Sequence, residues 1–67
     1  MTTLTTETAP YVLRRKPQTD RERANRAEAL RTLALAGWTA EAIEMDGMTT
    51  LSHGDLAVIH EALTGAA

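Results

Sequence analysis

Cysteine and phenylalanine are absent from this 67-residue sequence, and its aromatic side chains are limited to one Trp and one Tyr. Without cysteine, no disulfide can stabilise the fold and no thiol can act as a nucleophile. The chain also lacks the roughly 18 consecutive apolar residues that cross a bilayer, and its N-terminus lacks the apolar run of a secretory signal. These absences predict a soluble, cytoplasmic protein with no membrane contact.

Lys and Arg are absent beyond residue 31, so the chain divides into a cationic part and an anionic part. All seven cationic residues lie between Arg14 and Arg31, where three acidic residues accompany them. Residues 32–67 contain five acidic residues and no Lys or Arg. Such a division is typical of a basic element that meets an anionic partner, and equally of charges that neutralise each other within the fold or between subunits.

Residues 1–18 are predicted to lie outside the folded domain. Five of the first nine residues are Thr, a composition that does not form a packed segment, and we expect a flexible tail there. Pro10 and Pro17 bias the residues before them towards extended backbone, which predicts an extended basic arm rather than a helix. The apolar residues 11–13 of this arm can dock on the domain's own surface or on a partner.

The first helix is predicted over residues 20–36. Thr19 and Glu22 have the spacing of a capping box, in which each side chain accepts a hydrogen bond from the other residue's backbone amide. Gly37 is well placed as the left-handed residue that ends this helix. The buried face is predicted from apolar residues at helical spacing, which are Ala27, Leu30, Leu33 and Ala34.

Two shorter helices are predicted after the first. Thr39 is an N-cap candidate for a helix that ends before Gly47. Ser52 and Asp55 repeat the capping-box spacing in front of a third helix over residues 53–64. The apolar stripe of this third helix consists of Leu56, Ile59 and Leu63.

An all-α domain of three helices is therefore predicted over residues 19–67, and its centre resembles a helix-turn-helix domain. In that family a helix ends at Gly, an aromatic residue follows, and a Thr-capped helix leads to a turn Gly with an apolar residue after it. These positions are occupied here by Gly37, Trp38, Thr39, Gly47 and Met48. The resemblance covers about half of the chain and implies a helix-turn-helix-like arrangement and a DNA-binding regulator.

If DNA is bound, the basic arm and the first helix are the elements expected to bind it. The third helix carries Asp55 and Glu61 but no cation, so phosphates would repel it. Arg23 and Arg26 fall near the N-terminal end of the first helix, which we expect to project beyond the core with its charge exposed. An arm of this kind lies in a minor groove or along phosphates. The nucleic-acid-binding candidates are Arg14, Arg15, Lys16, Arg21, Arg23 and Arg26.

The sequence favours neither catalysis nor a metal or cofactor site. Ser52 is the only serine and is better explained as a helix cap than as a nucleophile. His53 and His60 are separated by two helical turns rather than by the single turn that lets two imidazoles share a metal ion. There is no glycine-rich phosphate loop. We therefore predict no enzyme activity, no cofactor and no small-molecule substrate.

Protein binding is the function that these observations favour. A core this small supplies only a few kcal/mol and is often completed by a second chain. Met45 and Met48 flank a turn, where they either fill the core or form an adaptable binding surface. The interface candidates are Leu35, Trp38, Met45, Met48 and Val58. We predict a small non-enzymatic regulatory or adaptor protein that binds another protein or a second copy of itself. The alternative is a DNA-binding transcriptional regulator that uses the basic arm.

Overall fold

The computed structural model describes residues 4–65, which form four α-helices. These are α1 (Ala9–Leu13), α2 (Asp20–Leu35), α3 (Ala40–Gly47) and α4 (His53–Gly65). The predicted all-α class is confirmed, but the predicted number of three helices is wrong, because α1 forms within the segment expected to be extended. Residues 1–3 of the predicted tail lie outside the described residues. Among the described residues, no helix is long and apolar enough to cross a bilayer.

Helix α1 forms although it contains a proline. Pro10 lies in the first turn, where the missing amide removes no helical hydrogen bond and the fixed φ already suits the helix. The turn in front of it is closed by the Ala9 amide, which donates to the Thr5 carbonyl at 2.8 Å. The prediction of extended backbone from Pro10 to Pro17 is therefore wrong for the first half of that segment.

The packing of α1 moves the start of the folded domain from residue 19 to the beginning of this helix. Ala9 and Leu13 are fully buried, and α1 contacts both α2 and α3. Val12 packs against the same core, whereas Tyr11 is exposed. Docking on the domain's own surface, one of the two alternatives for these apolar side chains, is thus confirmed for Val12 and Leu13.

The helix caps predicted from local sequence are present at all three remaining helices. The Glu22 amide donates to the Thr19 hydroxyl at 3.1 Å, and the Thr19 amide donates to the Glu22 carboxylate at 3.1 Å. At α3 the Thr39 hydroxyl accepts a hydrogen bond from a first-turn amide at 3.2 Å. Ser52 and Asp55 exchange the same kind of pair in front of α4, at 3.0 and 3.2 Å. These bonds fix where the three helices begin.

The ends of α2 and α3 differ in whether a glycine adopts the left-handed backbone conformation. Gly37, with φ 93°, follows α2 in the left-handed region as predicted. At the end of α3, however, the left-handed residue is Met48, with φ 48°, and not Gly47. Gly47 is buried, and a Cβ added there would lie 3.0 Å from the Cβ of Leu13. This glycine is therefore needed for the close approach of α1, and the left-handed turn falls on the methionine.

The core forms around α2, which packs on each of the other three helices. Three of the four residues predicted for its buried face are buried, and Ala29 takes the place of the half-buried Ala27. The buried hydrophobic residues of the domain are Ala9, Leu13, Ala29, Leu30, Leu33, Ala34, Ile43, Leu51 and Ile59.

Helix α4 turns a different face to the core from the one predicted. Ile59 is buried, but Leu56 and Leu63 are 45% and 51% exposed. The side of α4 that meets the core instead includes Asp55, one turn before Ile59. The orientation places the carboxylate of Asp55 against α2, where it meets Arg26.

Candidate binding groove

An open groove of about 690 Å³ lies between α2, the connection from α1 to α2, and the start of α4. Apolar and cationic residues line it, together with Thr49, Thr50, Ser52, Gly54 and Asp55. Its apolar lining consists of Leu13, Pro17, Ala27, Leu30 and Val58. Leu13 and Leu30 are fully buried, so the apolar surface that a ligand can reach belongs to the half-buried Pro17, Ala27 and Val58. Its cationic lining consists of Arg14, Arg15, Lys16, Arg23 and Arg26. We call this feature the basic groove.

Arg26 lies within the groove wall and is fully engaged by the fold. Its Nη2 and Nε donate to the Asp55 carboxylate at 2.8 and 3.2 Å, and both side chains are only 13% exposed. Its Nη1 donates to the Leu13 carbonyl at 3.2 Å, and Nη2 lies 3.4 Å from the Thr49 hydroxyl. The prediction that Arg26 projects beyond the core with exposed charge is therefore wrong. This side chain joins α2 to the end of α1 and to the start of α4.

Asp55 is kept ionised by its partners. Burial by itself raises the pKa of the Asp55 carboxyl, but hydrogen bonds from Arg26 and Ser52 and the charge of Arg26 outweigh it. The pKa of Asp55 consequently lies below its ordinary value of 3.8. The Arg26–Asp55 pair therefore remains charged at neutral pH.

Two other cations of the groove have partners at the surface. Arg23 forms an ion pair with Asp20 of the same helix, and these side chains are 57% and 98% exposed. The guanidinium of Arg14 lies 4.6 Å from the centre of the Tyr11 ring, and its Nε donates to the Asp46 carbonyl at 3.2 Å. Water screens both interactions, so these two charges stay accessible to a ligand.

Arg15 and Lys16 provide the unpaired charge of the groove. Both are exposed, and within residues 4–65 neither side chain forms an ion pair. Arg21, the remaining nucleic-acid-binding candidate, is exposed on α2 but does not line the groove. The structure thus brings together five of the six predicted cations, of which one serves the fold and two are unpaired.

The predicted interface residues do not form one surface. Trp38 and Val58 are half-buried and pack against the core, and Val58 also lines the basic groove. Leu35 is exposed at the end of α2. Met45 and Met48 are 79% and 73% exposed at the end of α3, which decides between the two alternatives for these methionines in favour of a surface position.

Acidic side chains accompany the exposed methionines. Glu41 lies one turn before Met45 on α3, Asp46 follows it, and both acids are exposed. We call Glu41, Met45, Asp46 and Met48 the acidic methionine surface. Its Glu41 and Met45 border the basic groove, because residues 49–50 line both the groove and the depression beside these two side chains. Asp46 lies on the neighbouring side of α3, in a depression that it shares with Arg14.

One feature of these surfaces can be predicted from the sequence and another cannot. The pairing of Glu41 with Met45 has a signal, since residues four apart share a face of a helix. The apolar lining of the groove has none, because Leu13 reaches it only through the packing of α1 on α2 and α3.

The described residues contain no grouped metal ligands, and the chain has no match among known proteins. His53 and His60 are both exposed, and within the described part of the chain no three His, Asp or Glu residues are grouped so as to hold a metal ion. Comparison with protein-family models, with curated proteins and with solved structures finds no match. The function is therefore inferred from the groove and its chemistry.

Proposed function

We propose that this chain is a small, non-enzymatic regulatory or adaptor protein of the cytoplasm that binds an acidic, amphipathic protein segment in the basic groove. The observation that carries the proposal is the presence of apolar lining and unpaired cations in one groove. A bound segment would bury aliphatic side chains against Ala27 and Val58, while its carboxylates meet Arg15 and Lys16. This is the usual division of an interface into an apolar centre and a polar rim.

The apolar lining favours a protein partner over a nucleic acid. Burial of one aliphatic side chain of a partner contributes roughly 1.5–3 kcal/mol, a gain that a phosphate backbone cannot obtain from Ala27 or Val58. The exposed cations then contribute mainly to the association rate and to the choice of partner. The groove volume of about 690 Å³ suits a few side chains of a short segment.

A DNA-binding regulator with a helix-turn-helix-like arrangement is the second candidate. The observation that favours it is the grouping of Arg14, Arg15, Lys16 and Arg23 on one side of the domain. Fewer cations are available than the sequence suggests, because Arg26 is engaged by Asp55. Acidic residues on α3 also border the groove and would repel phosphates that extend beyond it.

The test is a selection of peptides from a random library displayed on phage. We expect the native protein to enrich peptides that combine Asp or Glu with spaced Leu, Ile or Met. The variant Arg15→Glu/Lys16→Glu should lose this enrichment. A matched variant, Arg21→Glu/Arg31→Glu, carries the same change in charge on exposed residues outside the groove and should retain it. Enrichment of the same peptides by both variants, or of none by the native protein, would overturn the proposal.

A parallel measurement follows the fluorescence anisotropy of a labelled random-sequence DNA duplex. DNA binding through several phosphates weakens steeply between about 50 and 200 mM salt. We expect no binding of the native protein at the higher salt concentration. Salt-sensitive binding that Arg15→Glu/Lys16→Glu abolishes, together with a failed peptide selection, would establish the second candidate in place of the first.

A further inference from the structure

We propose that the occupant of the basic groove is the acidic methionine surface of a second copy of this chain, so that two copies form a two-fold dimer. In this dimer each groove holds the methionines of the other copy. The inference rests on the proposed function and names the partner of the groove.

The two surfaces have complementary chemistry. Within residues 4–65, Met45 and Met48 have the two most exposed large apolar side chains, at 79% and 73%. Glu41 lies one turn before Met45, and Asp46 directly follows it. The groove offers an apolar lining beside the unpaired cations Arg15 and Lys16. Methionine side chains adapt their shape to an apolar surface, and the carboxylates would replace water around the cations.

The charge distribution of the whole chain supports a second copy as the partner. All Lys and Arg residues precede residue 32, and the five acids after that position include both acids of the acidic methionine surface. A copy of this chain therefore presents an anionic surface to the cationic groove of another copy. Head-to-head contact of two grooves, by contrast, would bring like charges together.

The positions of the two surfaces favour a closed dimer. Residues 49–50 line both the basic groove and the depression beside Met45. In a two-fold dimer, residue i of one copy contacts residue j of the other, and the reverse contact is made at the same time. A two-fold axis beside residues 49–50 would therefore bring each groove onto the acidic methionine surface of the other copy. Adjacent complementary surfaces meet this requirement without a change of fold.

The conformation of Met48 is a second, independent observation. Its φ of 48° is unfavourable for a residue with a Cβ and costs roughly 1 kcal/mol, and glycine is the usual residue at such a helix end. The exposed methionine contributes nothing to the core, so the fold gives no reason for it. A role in binding accounts for a large apolar side chain at this strained, exposed position.

The experiment uses two variants with reversed charge and measures mass in solution by sedimentation equilibrium. Arg15→Glu/Lys16→Glu reverses the groove, and Glu41→Lys/Asp46→Lys reverses the acidic methionine surface. Each variant alone should be a monomer, because like charges then face each other in both halves of the dimer. An equimolar mixture should dimerise with a Kd within about tenfold of the native value, because opposite charges meet again in both halves.

Controls separate a charge effect from a folding effect. Circular dichroism should show native helix content for both variants, and Arg21→Glu/Arg31→Glu should dimerise like the native chain. The variant Met45→Ser/Met48→Ser removes the apolar contact without any change in charge. We expect it to weaken dimerisation at least tenfold while it remains folded, and it tests the proposal even if a charge-reversed variant does not fold.

The outcomes distinguish this inference from the proposed function. A native protein that is a monomer at all concentrations, or a mixture that stays monomeric, would overturn the dimer. If the peptide selection still enriches acidic, apolar peptides, the groove binds a different protein and the proposed function stands. If the selection also fails, both are overturned. Variants that each dimerise like the native chain would place the dimer interface elsewhere and overturn the inference.

Discussion

Two arginines one turn apart on α2 each form an ion pair with an aspartate, but the two pairs differ in their role. Arg23 and Asp20 are 57% and 98% exposed on the surface of the helix. Arg26 and Asp55 are 13% exposed and join two helices. Exposed pairs contribute at most about 1 kcal/mol, whereas breaking a largely desolvated pair leaves one charge without a partner. The same two residue types therefore supply accessible charge in one place and hold the fold together in the other.

The largest expected effect on stability comes from breaking the Arg26–Asp55 pair, which we call the inner pair. Arg26→Met should destabilise the domain by about 3 kcal/mol, because Asp55 is left partly buried and uncompensated. For a domain of this size that is most of the stability available. Urea unfolding followed by circular dichroism measures the change. The matched variant Arg23→Met should shift the free energy of unfolding by less than about 0.5 kcal/mol, and similar losses in both variants would refute the distinction between the pairs.

A smaller loss is expected where α1 approaches α3. In Gly47→Ala the new Cβ would lie 3.0 Å from the Leu13 Cβ, so α1 must move by a few tenths of an ångström, a cost that we expect to exceed the gain in helix propensity. We expect destabilisation of about 1–3 kcal/mol, since the crowded neighbour belongs to a buried residue whose carbonyl also accepts from Arg26. Thermal unfolding checks this. Gly54→Ala is the control, because its nearest contact is an ordinary 3.7 Å and helix propensity should make it neutral or stabilising. Equal destabilisation of the two variants would contradict the packing argument.

Acid should weaken the inner pair without any mutation. The pKa of Asp55 is lower in the folded state than its ordinary 3.8, so its contribution to stability is complete above that value. The contribution is lost as the pH falls through the lowered pKa. We expect the free energy of unfolding to decrease below about pH 4. Asp55→Asn should show a flatter dependence in this range, and an Asp55→Asn variant with the native dependence would refute the role of the inner pair.

Much of the fold could be predicted because its signals are local. The side chains of Thr19, Thr39 and Ser52 each accept a hydrogen bond three residues along the chain, so the sequence alone locates these three helix starts. Helix α1 has no such signal. It has five residues and no side-chain cap, and it is stabilised by the burial of Ala9 and Leu13 against other helices. Tertiary packing of this kind is not readable from a short segment.

The candidate site was predictable only in part for the same reason. The sequence shows which residues carry positive charge, and the structure brings most of them to one groove. Which cation is engaged depends on the rotation of α4. The apolar spacing of Leu56, Ile59 and Leu63 predicts one buried face of α4, but Leu56 and Leu63 are exposed and Asp55 pairs with Arg26 of α2. An ion pair between residues 29 positions apart cannot be predicted from the spacing of apolar residues.

A substitution of Met48, the strained residue at the end of α3, is expected to stabilise the monomer. Met48→Gly should stabilise the monomer by about 0.5–1 kcal/mol, because glycine accepts the positive φ without strain, although it gains some entropy in the unfolded state. The same change removes one of the two methionines proposed to enter the groove. Urea unfolding and sedimentation equilibrium should therefore move in opposite directions. A variant that is less stable, or that dimerises as well as the native chain, would contradict the role assigned to Met48.

The smallest effect on stability is expected for the two unpaired cations. Arg15→Ala/Lys16→Ala should change the free energy of unfolding by less than about 0.5 kcal/mol, because both side chains are exposed and neither is paired in the fold. Dimerisation and the binding of selected peptides should nevertheless fall, since these side chains carry the positive charge that the fold leaves unused. Arg26→Met should instead cause a large loss of stability, although Arg26 presents little charge to a ligand. If Arg15→Ala/Lys16→Ala instead destabilised the domain as much as Arg26→Met, or left binding intact, the division between a structural and a binding cation would fail.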